Sequence, residues 1–414
     1  MTDRVLIIAP HGSYRTFPFI EAAEKMGVEV LIASEGKHSI VSAYAHGLHI
    51  DCTDQDQALR SILAEAAQHG FVGIVGTDDA STELAAMAAK ALNLPHNDPL
   101  AVAIARRKDR ARECLHQAGV RVPEFRQVAL SEVADAAAQV GYPCVIKPLA
   151  LSASRGVIRV DNMSELDQAC RRIAAILHAA EGLVDEERSH VLVERFVPGT
   201  EVAVEGMLNA GSLQILALFD KPDPLDGPYF EETYYVTPSR HSAAEQADIE
   251  HCVAQACAAY GLREGPVHAE CRLNEQGVWL IEMAARTIGG LCARLLRFGT
   301  GYQLEELVLA QACGKPIKPE TIAEAAGVLM LPIPRAGVLR RVEGLLAAQR
   351  VPYVEEVTIL VREGHQLVPL PEGSSYLGFV FARASSPALV EAALREAHAA
   401  LNVVVAPLWE AQVA

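Results

Sequence analysis

The chain has 414 residues, half of them apolar and 21% charged, with a formal net charge of −16. That length exceeds one hydrophobic core, so about two to four domains are expected, and the acidic balance argues against a nucleic-acid binder that works by neutralising phosphates. Nine cysteines without CxxC or Cys/His metal spacing point to buried thiols in a reducing compartment; with no run of membrane-spanning length and an opening apolar run, Val5 to Ala9, too short for a signal segment, a cytoplasmic protein with no membrane partner is expected.

Residues 4 to 98 alternate strands and helices, the pattern of a parallel α/β domain. Arg4 to Ala9 and Val28 to Ala33 read as buried strands, Phe17 to Met26 as a helix ended near Gly27, and Phe71 to Gly76 as a strand before a helix from Ser81 to Leu92. His11-Gly12-Ser13 stands where a dinucleotide site would need GxGxxG. Thr77-Asp78-Asp79 lies at a strand's carboxyl end, where open α/β sheets place ligands, and suits a helix N-cap as well. Asp98-Pro99 opens a helix expected to run to about Ala118. Most of its basic residues, Arg106, Arg107, Lys108, Arg110 and Arg112, read as a solvated face.

A helix from Ser131 to Val140 leads to the strand Tyr142 to Lys147. The small-residue stretch Leu149 to Gly156 follows, and then the strand Val157 to Val160. Small residues let backbone amides turn towards an anion, and Lys147 adds a point charge. This is a phosphate-loop composition without the GxxxxGK[ST] of a Walker A motif. Next come the helix Met163 to Ala180, a charged loop from Glu181 to Ser189, and strands His190 to Phe196, Glu201 to Leu208 and Leu213 to Phe219. Strands in direct succession mark a second, antiparallel α+β domain. The loop Lys221 to Pro228 precedes Phe230 to Pro238.

The stretch Val267 to Gly290 reads as a hairpin in which Glu275-Gln276-Gly277 is a three-residue loop. Pairing Asn274 with Val278 puts Arg272 opposite Leu280 and Glu270 opposite Glu282, side chains roughly 5 Å apart on one face. Cys271, Leu273, Trp279 and Ile281 take the other face. Two carboxylates so placed repel by roughly 4 kcal/mol at an effective dielectric near 20. A divalent cation holding a polyphosphate offsets that directly. Arg286 and Gly289-Gly290 follow, an order of carboxylate, guanidinium and bare backbone that suits phosphoryl transfer. A helix from Gln303 to Cys313 comes next. A last module begins near residue 315, with strands at Gly327 to Pro332, Val338 to Val342, Tyr353 to Arg362 and Leu377 to Ala384 and a helix from Pro387 to Leu401.

In this order of residues the chain resembles the ATP-grasp superfamily of carboxylate–amine ligases over roughly residues 1 to 315. IEMAARTIGG and SSYLGFVFARA look most like the L-amino-acid ligases that make dipeptides. The resemblance implies an ATP-grasp fold, α/β plus α+β: an N-terminal parallel α/β domain (1–98), an ATP-grasp region (99–315) with a lid subdomain at about 120–192 and an antiparallel nucleotide sheet, and a C-terminal α+β module (316–414). It implies that Lys108 and Lys147 contact ATP phosphates, with Ser152 and Ser154 in the loop folding over them. Glu194 with the backbone of Arg195 and Val197 would hold the adenine edge, and Glu201 the ribose hydroxyls. Glu270 and Glu282 would bind Mg²⁺, or Mn²⁺ in its place, and Arg286 would stabilise the acyl phosphate. Glu232, Tyr235, Gly289 and Gly290 fall where the substrates would lie.

The chain departs from the family pattern in places. Ala284 replaces the asparagine of ExNxR, Tyr234-Tyr235 stands where dipeptide ligases often carry a histidine, and the biotin-carboxylase continuation QVEH is missing after Arg286. The implied reaction joins an amino acid or related acid to an amine through an acyl phosphate, releasing ADP and phosphate. The alternatives are a carboxylating or purine-pathway-type enzyme using bicarbonate or formate, and a nucleotide-binding regulator without catalysis. A homodimer is expected by analogy.

Overall fold

A computed structural model describes residues 3–11, 13–35, 47–52, 54–319 and 324–408. Gly12, the middle residue of the expected first turn, lies outside them. Short runs of β-branched residues bounded by turn formers give the first sheet: β1 (Arg4–Ile8), β2 (Glu29–Ser34), β3 (Gly47–His49) and β4 (Gly73–Gly76), in order β3-β2-β1-β4 and parallel throughout. Val5 to Ile8 are wholly buried because helices cover both faces, as parallel sheets require. One glycine here is needed for close approach: a Cβ on Gly73 would meet the Ala312 carbonyl oxygen at 2.3 Å, so the helix Leu304–Ala312 lies directly on β4.

A four-stranded antiparallel sheet follows, made of β5 (Phe125–Ala129), β6 (Cys144–Pro148), β7 (Ile158–Val160) and β8 (His190–Arg195), in order β5-β8-β6-β7. The helices Val133–Val140 and Met163–Ala179 bury their apolar stripes against it. The main sheet has eight strands. Its members are β9 (Thr200–Asn209), β10 (Ser212–Lys221), β11 (Tyr234–Thr237), β12 (Gly265–Asn274), β13 (Gly277–Ala284), β14 (Ala325–Leu331), β16 (Val354–Ile359) and β18 (Gly378–Ala384). Their order is β13-β12-β9-β10-β11-β14-β18-β16, so strands after residue 315 extend the sheet that carries the hairpin. β15 (Gly337–Glu343), β17 (Gln366–Leu367) and β19 (Asn402–Ala406) form a small sheet of their own. A single apolar cluster joins Val5 and Phe19 from the first unit, Ala203 and Tyr235 from the middle, and Met330 and Phe379 from the last. Among the described residues no helix is long and apolar enough to cross a membrane.

Two expectations are corrected. The helix expected from Asp98 to Ala118 breaks at Arg107, whose backbone is extended (φ −102°, ψ 108°), giving Pro99–Arg106 and Lys108–Gln117. Arg107 is buried and its guanidinium meets Asp109, two residues on, at 2.8 and 2.9 Å and the distant Glu186 at 3.0 Å, and this pairing accompanies the bend in the chain. The expected charged loop after Glu181 contains a short helix, Asp185–Ser189. A long helix not expected from the sequence, Ala243–Tyr260, is also present. Its start is a capping box, with the Ser242 hydroxyl accepting from the Glu245 amide at 3.3 Å and the Glu245 carboxylate from the Ser242 amide at 2.8 Å; Gly261 ends it in the left-handed region. Its buried face is largely small, with Cys252, Ala256 and Cys257 beside Ile249, Val253 and Tyr260, which blurs the apolar period.

Candidate active site

The sheet of β5 to β8 faces the hairpin end of the main sheet across an open cavity. Lys108, Lys147, Ser152, Ser154, Glu194, Arg195, Val197, Glu201, Glu232, Glu270 and Glu282 all line it. Of the expected site residues, Arg286, Tyr235, Gly289 and Gly290 are not in its lining. Arg286 lies at the end nearest the first sheet, its Nη2 2.9 Å from Asp79 Oδ2 and its Nη1 donating to the Thr287 carbonyl at 3.0 Å. The Gly290 amide donates to Tyr14 Oη at 2.7 Å. Tyr235 is buried, stacks on Phe219 with centroids 5.8 Å apart, and donates its hydroxyl to Glu232 at 2.7 Å, so the tyrosine at the histidine position reaches the cavity through Glu232.

The hairpin reaches the expected carboxylate pairing by a different route. Its loop has two residues, Glu275 and Gln276, and Asn274 pairs with Gly277, which sets Arg272 against Trp279 and Cys271 against Leu280. One extra residue in β13, Ile281, then forms a bulge that brings Glu270 opposite Glu282. Arg112 donates through Nη2 to the carbonyl of Ile281 and anchors the bulge. The change of phase also alters the core: Cys271 and Leu273 enter it as expected, while Leu280 and Met283 take the places assigned to Trp279 and Ile281.

Three ion clusters line the cavity. The first joins Glu194 on β8 to Lys147 on β6, Oε2 to Nζ 2.6 Å, and to Nε of Arg112. Burial alone would raise the Glu194 carboxyl, but Arg112 and Lys147 outweigh it and bring it down to about 2. Arg112 and Arg107, read as part of a solvated face, are both buried. The second cluster centres on Lys221, the last residue of β10, with Nζ 2.7 Å from Glu201, 3.4 Å from Glu270 and in contact with Glu232. Arg272 donates to Glu201 at 2.7 Å and to the Val197 carbonyl at 2.8 Å. Burial opposes charge on the Lys221 ammonium, yet Glu201, Glu232 and Glu270 raise it well above the usual lysine range. Glu232 is pushed up to about 7, mainly by burial and against the pull of Lys221. Glu270 is held well below the carboxylate range in spite of burial, by Lys221 and His268.

The third cluster is Lys108 with Glu282, Nζ to Oε1 3.0 Å; the same ammonium donates to the Leu151 carbonyl at 2.8 Å. The break at Arg107 makes Lys108 the first residue of its helix, at the cavity wall. Behind these groups His268 lies 3.2 Å from Glu205 and 3.8 Å from Glu270, and the Ile288 amide donates to both oxygens of Glu205, at 3.1 and 3.2 Å. The loop carrying Arg286 is thereby tied to the floor of the sheet. Lys221, Arg272, Arg112, His268 and Asp79 were not singled out from the sequence as site residues; only Asp79 gave a signal, as part of Thr77-Asp78-Asp79.

Family models match as ATP-grasp N-terminal domain over residues 20–96, ATP-grasp domain over 140–294 and L-amino acid ligase C-terminal domain 2 over 329–406. The crystal structure of an L-amino acid ligase from Bacillus licheniformis superposes with a TM-score of 0.85 at 26% identity, covering 98% of this chain and 100% of that one. A D-alanine–D-alanine ligase from Ectopseudomonas mendocina is 28% identical over 62% of this chain and 80% of its own length. Carnosine synthase 1 from Mus musculus is 26% identical over 79% of this chain, which spans only 42% of that protein. The chain therefore carries an ATP-grasp N-terminal domain, an ATP-grasp domain and an L-amino acid ligase C-terminal domain, on the fold of a solved L-amino acid ligase.

Proposed function

We propose that this protein joins an amino acid, or a related carboxylic acid, to the amine of a second amino acid through an acyl phosphate, with release of ADP and phosphate. The observation that carries the reading is the convergence of two lysines, a small-residue loop, Glu194 and the opposed pair Glu270 and Glu282 on one cavity. A carboxylate does not react with an amine unaided, since oxide would have to leave. Transfer of the γ-phosphoryl group supplies a leaving group, and the protein contributes position and charge.

Lys108 and Lys147 take the phosphates under the loop bearing Ser152 and Ser154. The Arg195 amide is already spent on the Glu124 carbonyl at 2.8 Å, so what Arg195 offers the adenine amino group is its carbonyl, with the amide of Val197 alongside. Glu201, neutralised by Lys221 and Arg272, takes the ribose hydroxyls. Glu201, Glu232 and Glu270 each bring an oxygen to within 4.8 Å of the others; with Glu201 already met by Arg272, the remaining carboxylates Glu232 and Glu270, which share the Lys221 ammonium, fit a divalent cation beside them. Glu270, with Glu282 opposite it on β13, would hold Mg²⁺ or Mn²⁺, which when bound would neutralise the charge of the polyphosphate. Ala284, buried opposite His268, contributes no ligand where the family motif has an amide.

The test is a matrix of amino acids and small acids assayed for phosphate release, with mass detection of the amide. ADP with an amide product is expected. AMP and pyrophosphate, or bicarbonate-dependent ADP release without an amino acid, would sink the reading.

A pH effect follows from Glu232. Its carboxyl stands at about 7 in the folded chain, above its ordinary value of 4.5, so its proton contributes stability that is complete below 4.5 and lost as pH rises through about 7. A cation bound beside it competes with that proton. Mg²⁺ affinity, followed by titration with a non-hydrolysable ATP analogue present, is expected to rise about ten-fold from pH 6 to pH 8 and to flatten in Glu232→Gln.

A further inference from the structure

The loop after Lys147 is gripped from outside the cavity by a segment some two hundred residues further on. Ala153 and Ser154 have φ of 56° and 54°, and Gly156 has 74°. Two consecutive non-glycine residues in the left-handed region cost free energy, and the conformation persists only where surrounding contacts enforce it. On the cavity side, Lys108 supplies two of those contacts: its amide donates to the Leu149 carbonyl at 3.0 Å and its ammonium to that of Leu151 at 2.8 Å.

On the outer side the contacts come from Pro371 and Glu372, in the excursion between β17 and β18. The Gly156 amide donates to the Pro371 carbonyl at 2.9 Å, and Arg155 Nε to the Glu372 carbonyl at 3.1 Å. Arg172, on the helix Met163–Ala179, donates through Nε and Nη2 to the two carboxylate oxygens of Glu372, both at 2.7 Å. That fork fixes direction as well as distance. The excursion is itself tightly turned: the Gly373 amide donates to the Pro369 carbonyl at 2.8 Å, and a Cβ on Gly373 would meet the Val368 carbonyl oxygen at 1.9 Å.

We propose that Glu372 is a positioning residue for the nucleotide: residues 369–373 prop the phosphate loop in its closed shape, so the C-terminal part of the chain sets how firmly the phosphates of ATP are held. This rests on the nucleotide reading above. The Glu372 carboxylate touches no ligand: it pins residues 369–373 to Arg172, and that segment reaches the loop through the backbone carbonyls of Pro371 and Glu372, which accept from Gly156 and Arg155. Its removal raises the ordering cost that ATP must meet on binding and leaves the reacting groups where they are.

Two measurements on the full chain separate this from a merely structural role. Hydrogen exchange of residues 149–157 in nucleotide-free protein and initial rates against ATP are compared for wild type, Glu372→Ala, Glu372→Gln and the exchanged pair Arg172→Glu with Glu372→Arg. For Glu372→Ala, loop exchange about five-fold faster and a KM for ATP about five-fold higher are expected, as suits a half-exposed bidentate pair. Its kcat and the amino-acid KM stay within about two-fold, and the exchanged pair recovers at least half of the change. Loop exchange unchanged in both Glu372 variants overturns the proposal, as does a fall in kcat at constant KM. Should Glu372→Ala fail to fold, Glu372→Gln keeps the volume and decides. A wild-type chain that binds no Mg·ATP defeats the nucleotide reading alone, and loop exchange still judges the prop.

Discussion

Replacing Lys221 with methionine is expected to destabilise the metal-free protein by about 3–5 kcal/mol at pH 8, the cost of leaving buried charges without their partner. The side chain is 3% exposed and its ammonium touches Glu201, Glu232 and Glu270. In the wild type its own ionisation is raised, so its stabilising effect is complete below pH 10.5 and uniform across ordinary conditions. In Lys221→Met, Glu232 and Glu270 lose the ammonium between them while Glu201 keeps Arg272, so the Glu232 carboxyl moves further above its ordinary value and that of Glu270 rises from its depressed one. Their penalty is then small below about pH 4.5 and grows as pH rises. Urea unfolding at pH 5 and pH 8 checks this: the variant should approach wild type at the lower pH, and added Mg²⁺ should restore part of the loss at the higher. An equal deficit at both would mean that packing, and not charge, is what Lys221 supplies.

Arg286→Ala is expected to lower kcat by about 10²–10³ while KM for ATP moves by less than about three-fold, the pattern of an interaction made mainly in the transition state. Burial opposes the guanidinium's charge, but Asp79 outweighs it and raises its pKa, so it remains a cation throughout the working range. It lies outside the nucleotide cavity, which is why ATP binding should survive its loss. Steady-state kinetics with saturating amino acids decide. A variant with wild-type kcat would remove Arg286 from the reaction.

The parts of this site legible in the sequence are those whose position follows from local rules. Lys147 ends a strand before small residues and Glu270 and Glu282 belong to a hairpin, which strand ends and alternation show; Glu194 and Glu201, which flank a Pro-Gly turn, were named by the family resemblance, and alternation agrees with it. The hairpin also marks the limit. Its loop was one residue shorter than expected, and the carboxylates still face each other because Ile281 bulges. What holds that bulge is Arg112, 169 residues away in sequence, and no local pattern carries such information. The same reason hid the break at Arg107, whose partner Glu186 is 79 residues on, and the role of Lys221, which reads locally as the start of a proline-rich loop. Charged side chains were assigned to solvent by default, and long-range partners overrode the default. The helix Ala243–Tyr260 was passed over for a different cause. Its capping box and terminal glycine were visible, but a face of alanines and cysteines gives little apolar contrast.

The continuity of the eight-stranded sheet bears on how this protein can be handled. A version cut near residue 315 would strip β14 from β11 and bare Tyr235 and Phe219, which share one apolar cluster with Met330 and Phe379. An uncovered, flat strand edge beside exposed aromatic rings is a template for aggregation. Expression of the nucleotide-binding portion by itself should therefore yield insoluble material, and swapping C-terminal portions between relatives should succeed only when β11 and its neighbour across the seam are exchanged together.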